Sequence, residues 1–585
     1  MDEPELEVDF TVQAVENLVT QFSAALDFYR ELVQNSIDAG SAAVEVWTEY
    51  LPGEEDAGTI AIHVDDGGEG MNEAIIDNQL TRLFASSKAG DLTKIGKFGI
   101  GFVSIFAPNP KAVLLHTGRG GEYWEVLFHA DRSFTKTRIE EPVEGTQITI
   151  FLAGDRGRYR QLVVESEATL RRWCVHSEVE VGFEDRTFGR GRVVISEPFA
   201  VEGRCLTRAS EEGTEVALAY SRAPICGFYN KGLALTPDVD DRGPALEFSR
   251  RLQHVSFKVK SRYLEHTLSR DTVVREGNFH KAMALVVETA AGPLQAALVA
   301  AIEELVQKPG WDAADLALYY ELIGYLGGEP GEEIERWSAR KLLRRVDGGA
   351  ASLAEVEAAA ADEQVVFVGD AVTPVGEHLL ARGVPVLLAP TRAAAEGATA
   401  GTYGAVGWLA EAYVQHRRRQ GVVRGLLRKV GVAARAVRAA APEQVYLPIA
   451  EVEPTAEEAA LLADADALLA KVGAAYRRLA VCSIAGPSAP LFVIARKIGG
   501  FMRRPPPERE GDGWWWLRRP EAAVERRHPH FAALLQLRAV DRPLAAYCLA
   551  KALLLAEDRA HGLDVELMAA AVPDEAAARS SEVLP

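Results

Sequence analysis

Three glycine-rich segments near the N-terminus limit what this chain can fold into more than any other feature. "DDGGEGM" (65–71) closes the alternating run "TIAIHV". "GKFGIGF" (96–102) opens a stretch with helical spacing, and "EGT" (144–146) opens the alternating run "TQITIFL". Glycine admits positive φ and close backbone approach, so a strand end, a helix-opening turn and a strand start are each expected to be pressed against another group. Upstream, "YRELVQNSIDAG" (29–40) sets Glu31, Asn35 and Asp38 four and three residues apart. That spacing puts a carboxylate, an amide and a second carboxylate on one face of a helix. Its other residues look buried, and Gly40 is a natural stop.

The surrounding pattern gives an α/β sandwich over residues 1–155. A helix is expected within 11–39, strands at "AAVEVWTEY", "TIAIHVDD", "AVLLHTG", "YWEVLFHA" and "TQITIFL", and a mobile, polar segment at 72–95. Residues 156–285 alternate again ("RVVISEPFAV", "TEVALAYS", "VSFKVKSRYL") and read as a second α/β domain. Residues 286–440 read as a helical stretch followed by a small α/β unit, in which "EQVVFVGD" and "VPVLLAP" are buried parallel strands joined by a helix. The last segment, 441–585, mixes Ala-rich helices with the apolar strand "PLFVIARKI". A chain of 585 residues is too long for one core.

Composition excludes several classes. With 48% hydrophobic and 25% charged residues, the chain is an ordinary globular sequence. No apolar run reaches the roughly 20 residues of a membrane span, and the acidic "MDEPELEVDF" lacks the basic and apolar regions of a signal peptide. Neither a membrane partner nor export is expected. Five cysteines without a CxxC pair point to a reducing cytoplasm rather than a zinc ribbon or a disulfide framework. A net charge of −20 disfavours nucleic acid as a partner, although "HRRRQGVVRGLLRKVGVAARAVR" (416–438) is locally basic. "HPH" (528–530) has no flanking ligand set for a metal, and the tryptophans of "GDGWWWLRRP" (511–520) read as packing between domains.

Each glycine-and-acid segment has a use in holding a nucleotide. A carboxylate at a strand end (Asp66) can accept the amino group of adenine, and Gly68 and Gly70 beside it let a base come close. A glycine-rich turn opening a helix presents N–H groups and a positive dipole end to phosphates. An amide oxygen (Asn35) suits Mg²⁺, which keeps phosphate oxygens and water in its shell. A carboxylate one helical turn earlier, Glu31, can orient and deprotonate an attacking water.

E-x-x-x-N-x-x-D-A, D-x-G-x-G-M, G-x-F-G-I-G-F and G-T, in this order, resemble the four boxes of the Bergerat-type ATPase superfamily of gyrase B, heat-shock protein 90, histidine kinases and MutL. "GKFGIGFVSIF" is most similar to the heat-shock protein 90 branch, and Leu268, Ser269, Arg270 and Asp271 resemble its middle-domain segment that carries an arginine to the γ-phosphate. The resemblance implies ATP and Mg²⁺ as ligands, with Glu31 as general base, Asn35 as metal ligand and Asp66 as adenine acceptor. It places Asp38, Gly68, Gly70, Met71 and Thr146 at the nucleotide, a lid at 72–95 carrying Ser87 and Lys88, and Gly96, Lys97, Phe98, Gly99, Ile100, Gly101 and Phe102 at the phosphates. Lys97 stands where the chaperones usually have glutamine, and Asp271 where they have glutamate.

The implied activity is that of an ATP-hydrolysing chaperone with a transducer-like middle domain carrying Arg270, acting on client proteins and forming a homodimer. Two rivals keep the nucleotide site: a nucleic-acid-associated clamp of the MutL or microrchidia type, and a non-hydrolysing nucleotide-sensing scaffold. A histidine kinase is disfavoured, since no helix with a phospho-accepting histidine precedes the first domain.

Overall fold

The computed structural model describes residues 24–53, 58–81, 101–236, 243–265, 273–327, 331–363, 365–390, 404–420, 437–484, 490–495, 500–503, 520–556 and 560–572. It divides into two compact units, Met1–Leu298 and Val299–Pro585.

The first unit is built on an eight-stranded sheet. Its strands are β1 (Ala43–Pro52), β2 (Gly58–Asp66), β3 (Ala112–Arg119), β4 (Glu122–His129), β5 (Phe134–Ile139), β6 (Thr146–Gly154), β7 (Glu180–Asp185) and β8 (Arg190–Val194), in the spatial order β5-β4-β3-β6-β2-β1-β7-β8. All pairings are antiparallel except β1 with β7. The strict alternation of β1 explains its placement: Val44, Val46 and Thr48 are buried on one face, while Glu45, Trp47 and Glu49 lie half-buried on the other.

Two helices cover the buried face, α1 (Phe28–Asp38) and α2 (Arg156–Cys174). Phe28, Tyr29, Leu32 and Val33 of α1 and Tyr159, Leu162, Val163 and Leu170 of α2 join Ile60, Ile62, Val113, Leu115 and Ile150 in one core. Burying each large apolar side chain stabilises by roughly 1.5–3 kcal/mol. Residue 155, the expected end of the first domain, is Asp155, the N-cap of α2, whose carboxylate accepts from the Arg158 amide. Beyond it β7 and β8 extend the same sheet, so the sandwich runs on to about residue 194.

A five-stranded second sheet follows. It comprises β9 (Arg204–Glu211), β10 (Thr214–Tyr220), β11 (Cys226–Asn230), β12 (Leu233–Ala234) and β13 (Val255–Ser261), in the order β12-β11-β13-β10-β9. Helix α3 (Gly277–Thr289) packs on β9, β10 and β13. The helical run Gly277–Gln307 is long and apolar enough to cross a membrane, which corrects the expectation that no such run exists. His280, Lys281 and Glu288 and the internal Pro293 interrupt its apolar sequence, and half of its most apolar window is buried within the protein.

The second unit contains the expected small α/β element. Val365–Gly369 lies between Val386–Leu388 and Arg438–Ala440, parallel to both, and the helix Pro374–Ala381 makes the first crossover. Phe492–Ala495 is a strand of a separate five-stranded sheet, packed with the helices Ala456–Lys471 and Arg542–Ala556. Of the basic stretch, Arg417 pairs with Glu335 and Glu357 and Arg418 donates to the Ala360 carbonyl, while 421–436 lie outside the described residues. His528 is the N-cap of Pro529–Val540, and among the described residues no group of His, Cys, Asp and Glu could hold a metal. The tryptophans at 514–516 lie outside the described residues. None of the five cysteines is in a disulfide.

Candidate functional site

Asn35 and Asp66, separated in sequence, line one cavity of about 260 Å³ between α1 and the sheet. Asp38, Gly70, Met71, Phe102 and Thr146 line it as well, over an apolar floor that includes Val64, Leu115 and Ile148. Sheet register accounts for this convergence. Asp66 ends β2 directly opposite Thr146, which opens β6, and Thr146 in turn lies opposite Thr117 of β3.

Backbone contacts fix that rung. The Met71 amide donates to Thr117 Oγ1 at 2.9 Å, and Thr117 Oγ1 donates to the Gly145 carbonyl at 3.0 Å. Gly70 has φ +65°, and a Cβ there would lie 2.1 Å from the Gly118 carbonyl oxygen. Gly145 has φ +67°, and a Cβ there would lie 2.0 Å from the Asp66 carbonyl oxygen. Only glycine satisfies both the left-handed conformation and the approach. A Cβ on Gly68 would lie 2.7 Å from Ala39 Cβ, so "DDGGEGM" packs against the end of α1.

Asp66 is held on two sides. Its Oδ1 accepts from the Gly68 amide at 2.9 Å, and its Oδ2 lies 2.9 Å from the Ser36 hydroxyl. A carboxylate has acceptor capacity beyond these two bonds, and Asp66 borders the cavity, so its remaining capacity suits a donor in the cleft. Asp65, its neighbour, points to the opposite face of the sheet. There burial, reinforced by the Asp66 charge and opposed by Arg186 and His116, pushes the Asp65 carboxyl up to about 7.

Glu31 lies one turn before Asn35 and is buried. The Arg30 guanidinium donates to Glu31 Oε1 at 2.8 Å through Nη1 and to the Ala234 carbonyl at 2.8 Å through Nε. A Cβ on Gly101 would lie 2.6 Å from Glu31 Oε2, so the bare glycine lets the carboxylate reach the backbone where the second glycine segment ends. Phe102, next in sequence, borders the cavity and packs on Phe128 with ring centroids 5.6 Å apart. The structure therefore brings together Asn35, Asp38, Asp66, Gly70, Met71, Phe102 and Thr146, with Glu31, Gly68 and Gly101 against them. Ser87, Lys88, Gly96, Lys97, Phe98, Gly99, Ile100 and Arg270 lie outside the described residues, as does the part of the expected lid beyond residue 81. Residues Glu73–Leu80 of that lid are helical, ending in a π-turn.

Residues 24–150 match the family described as histidine kinase-, DNA gyrase B-, and HSP90-like ATPase. This region is an ATPase-family domain. The match covers the stretch that supplies every cavity-lining residue named above, and the mixed α/β architecture agrees with it. Within the domain, four groups escaped the sequence reading. Thr117 supports the Thr146 rung, Arg30 holds Glu31, Ser36 orients Asp66, and Arg119 pairs with Glu69 at the cavity wall at 2.6 Å. A fifth comes from the second sheet: Lys231 donates to Asp38. The "NKG" between two apolar pairs was a legible turn signal for it, but nothing in the sequence indicated what its tip would meet.

Proposed function

We propose that this chain binds ATP with Mg²⁺ in the cleft and hydrolyses it, as a cytoplasmic chaperone of the heat-shock protein 90 type acting on client proteins as a homodimer. What carries the nucleotide part is the convergence of Asn35, Asp38, Asp66, Gly70 and Thr146 from separate segments on one cavity. The chaperone part rests on the resemblance of "GKFGIGF" and the segment around Arg270 to that branch.

The donor set fits magnesium. No dedicated cage exists among the described residues, and Mg²⁺ typically takes few protein ligands and completes its shell with phosphate and water. Asn35 would supply its amide oxygen. When bound, the ion would offset polyphosphate charge that Asp38 and Asp66 would otherwise repel.

The chain's own groups divide the remaining tasks. Asp66 accepts from the base, with its oxygens held by Ser36 and Gly68. Glu31 orients the attacking water and takes its proton, and Arg30 fixes the Glu31 carboxylate through one of its two oxygens. Arg270, by resemblance, contributes positive charge at the transferred phosphoryl group. Arg417 and Arg418 are committed to internal acceptors, which gives no support to a nucleic-acid clamp.

The test uses the full chain. Glu31→Ala should abolish phosphate release while titration calorimetry still shows ATP binding; unchanged turnover overturns the catalytic assignment. Failure of the wild type to suppress aggregation of an unfolded client in an ATP-dependent manner would overturn the chaperone role and leave the ATPase standing.

A further inference from the structure

Arg119 occupies a position that the fold prescribes. Along β3, Leu115, Thr117 and Arg119 alternate onto the same face of the sheet. Leu115 lies opposite Ile148 on the cavity floor, and Thr117 lies opposite Thr146 in the rung that ends at Asp66. Arg119 is therefore the next step outward, beyond the rung where a base would be read. The hairpin that follows it, Gly120 and Gly121 with φ +64° and +84°, fixes where the strand ends. The tight contact of Gly70 with the Gly118 carbonyl brings Glu69 beside it, and the two side chains pair at 2.6 Å.

An exposed ion pair is ordinarily worth little. This one differs in that both members border the cavity, and Arg119 is the only basic residue among the described residues lining it. A base seated on Val64, Leu115 and Ile148 and bonded to Asp66 has one face against apolar side chains. The remaining lining, Arg119 included, is left for its other side. A planar guanidinium suits such a face, by stacking and by attraction to the ring electrons.

We propose that Arg119 covers the base of the bound nucleotide, leaving Glu69 or sharing its guanidinium with it. It is a base-positioning residue that sets affinity for the nucleoside part and does not touch the phosphates. This rests on the ATP reading above.

The experiment measures adenosine and ATP affinities by calorimetry for the full chain and for Arg119→Ala, Arg119→Lys and Glu69→Ala, with circular dichroism confirming each fold. Arg119→Ala should weaken adenosine and ATP by the same factor, roughly three- to thirtyfold. Arg119→Lys should recover only part of that, because it restores charge without the plane, and Glu69→Ala should cost less than Arg119→Ala. Unchanged adenosine affinity in Arg119→Ala overturns the proposal, as does a loss confined to ATP, which would mark a phosphate contact. Equal losses in Glu69→Ala and Arg119→Ala would reduce the pair to a structural bridge. A wild type that binds neither adenosine nor ATP fails differently, because it removes the nucleotide site itself.

Discussion

Lys231 donates a hydrogen bond to Asp38, tying a hairpin of the second sheet to the helix that lines the cleft. The hairpin tip is a two-residue turn in which Lys231 has φ +49° and Gly232 φ +78°. A lysine in the left-handed region costs on the order of 1 kcal/mol. Asn230 offsets part of that cost by donating to the Leu264 carbonyl at 2.8 Å. The ammonium at this tip neutralises a carboxylate that borders the cavity.

The role of Lys231 follows from that neutralisation. Lys231→Asn keeps a residue tolerant of positive φ and leaves the Asp38 charge uncompensated beside the cleft. ATP binding should weaken several-fold at low ionic strength, less so at 0.5 M salt on account of screening, with adenosine binding nearly unchanged. Adding Asp38→Asn should restore ATP affinity. A double variant as weak as the single one would show that Lys231 acts otherwise than through Asp38. In thermal melts Lys231→Ala should be less stable than Lys231→Gly by about 1 kcal/mol.

Arg30 holds two partners, Glu31 and the Ala234 carbonyl. Removing it strips a buried carboxylate of a charge-assisted bond. Arg30→Ala should therefore cost about 3–5 kcal/mol of stability and slow phosphate release, because Glu31 loses its fixed orientation. Arg30→Lys restores charge but cannot span both acceptors with a planar fork. It should regain stability ahead of turnover. A Lys variant with full turnover would show that the carboxylate needs only a nearby cation.

Glycines offer a contrast inside one domain. Gly145 and Gly120 both have positive φ, +67° and +64°, yet a Cβ on Gly145 would strike the Asp66 carbonyl while nothing lies within 4 Å of one on Gly120. Gly120→Ala should cost about 1 kcal/mol of backbone strain. Gly145→Ala must also displace the β2–β6 rung, so it should cost more than about 2 kcal/mol and weaken adenosine binding. Chemical denaturation of the two variants, with calorimetry for the ligand, checks both.

The parts of this fold that the sequence disclosed are those governed by local rules. Alternation placed β1, β2, β3, β4 and β6, and the 3.6-residue period put Glu31, Asn35 and Asp38 together on α1. Asn35 and Asp38 do meet Asp66 in one cavity. Strand β5 was missed because "FTKTRI" is an edge strand without buried residues, leaving no apolar alternation to read. The continuation of the sheet through β7 was missed because parallel pairing with β1 joins segments some 135 residues apart, which no local pattern encodes. The Lys231–Asp38 contact spans 193 residues and depends on how the hairpin lands, not on either residue's surroundings in the chain. The helix expected from 286 begins earlier, at Gly277, where His280 and Lys281, exposed on the face that the second sheet does not bury, break the apolar pattern.

Asp65 makes stability depend on pH in a direction opposite to that of most carboxylates. It lies on the half-buried outer face of the sheet, with Glu45 and Gln147 as its cross-strand neighbours, and its carboxyl is pushed up to about 7. Between about 4 and 7 the folded chain therefore holds a proton that the unfolded chain has released. Stability from this group is greatest below the ordinary carboxylate range and is lost as pH rises through 7. Because water reaches this face, the shift translates into about 1–2 kcal/mol rather than its full nominal value. Asp65→Asn removes the titration, so at pH 8 it should melt higher than the wild type. The gap should close as pH falls to 5, where Asp65 is itself neutral. Melting curves for both proteins at pH 5, 6, 7 and 8 test this. A gap that is constant across the series would mean that Asp65 titrates in the ordinary range and that its burial is offset by Arg186 and His116.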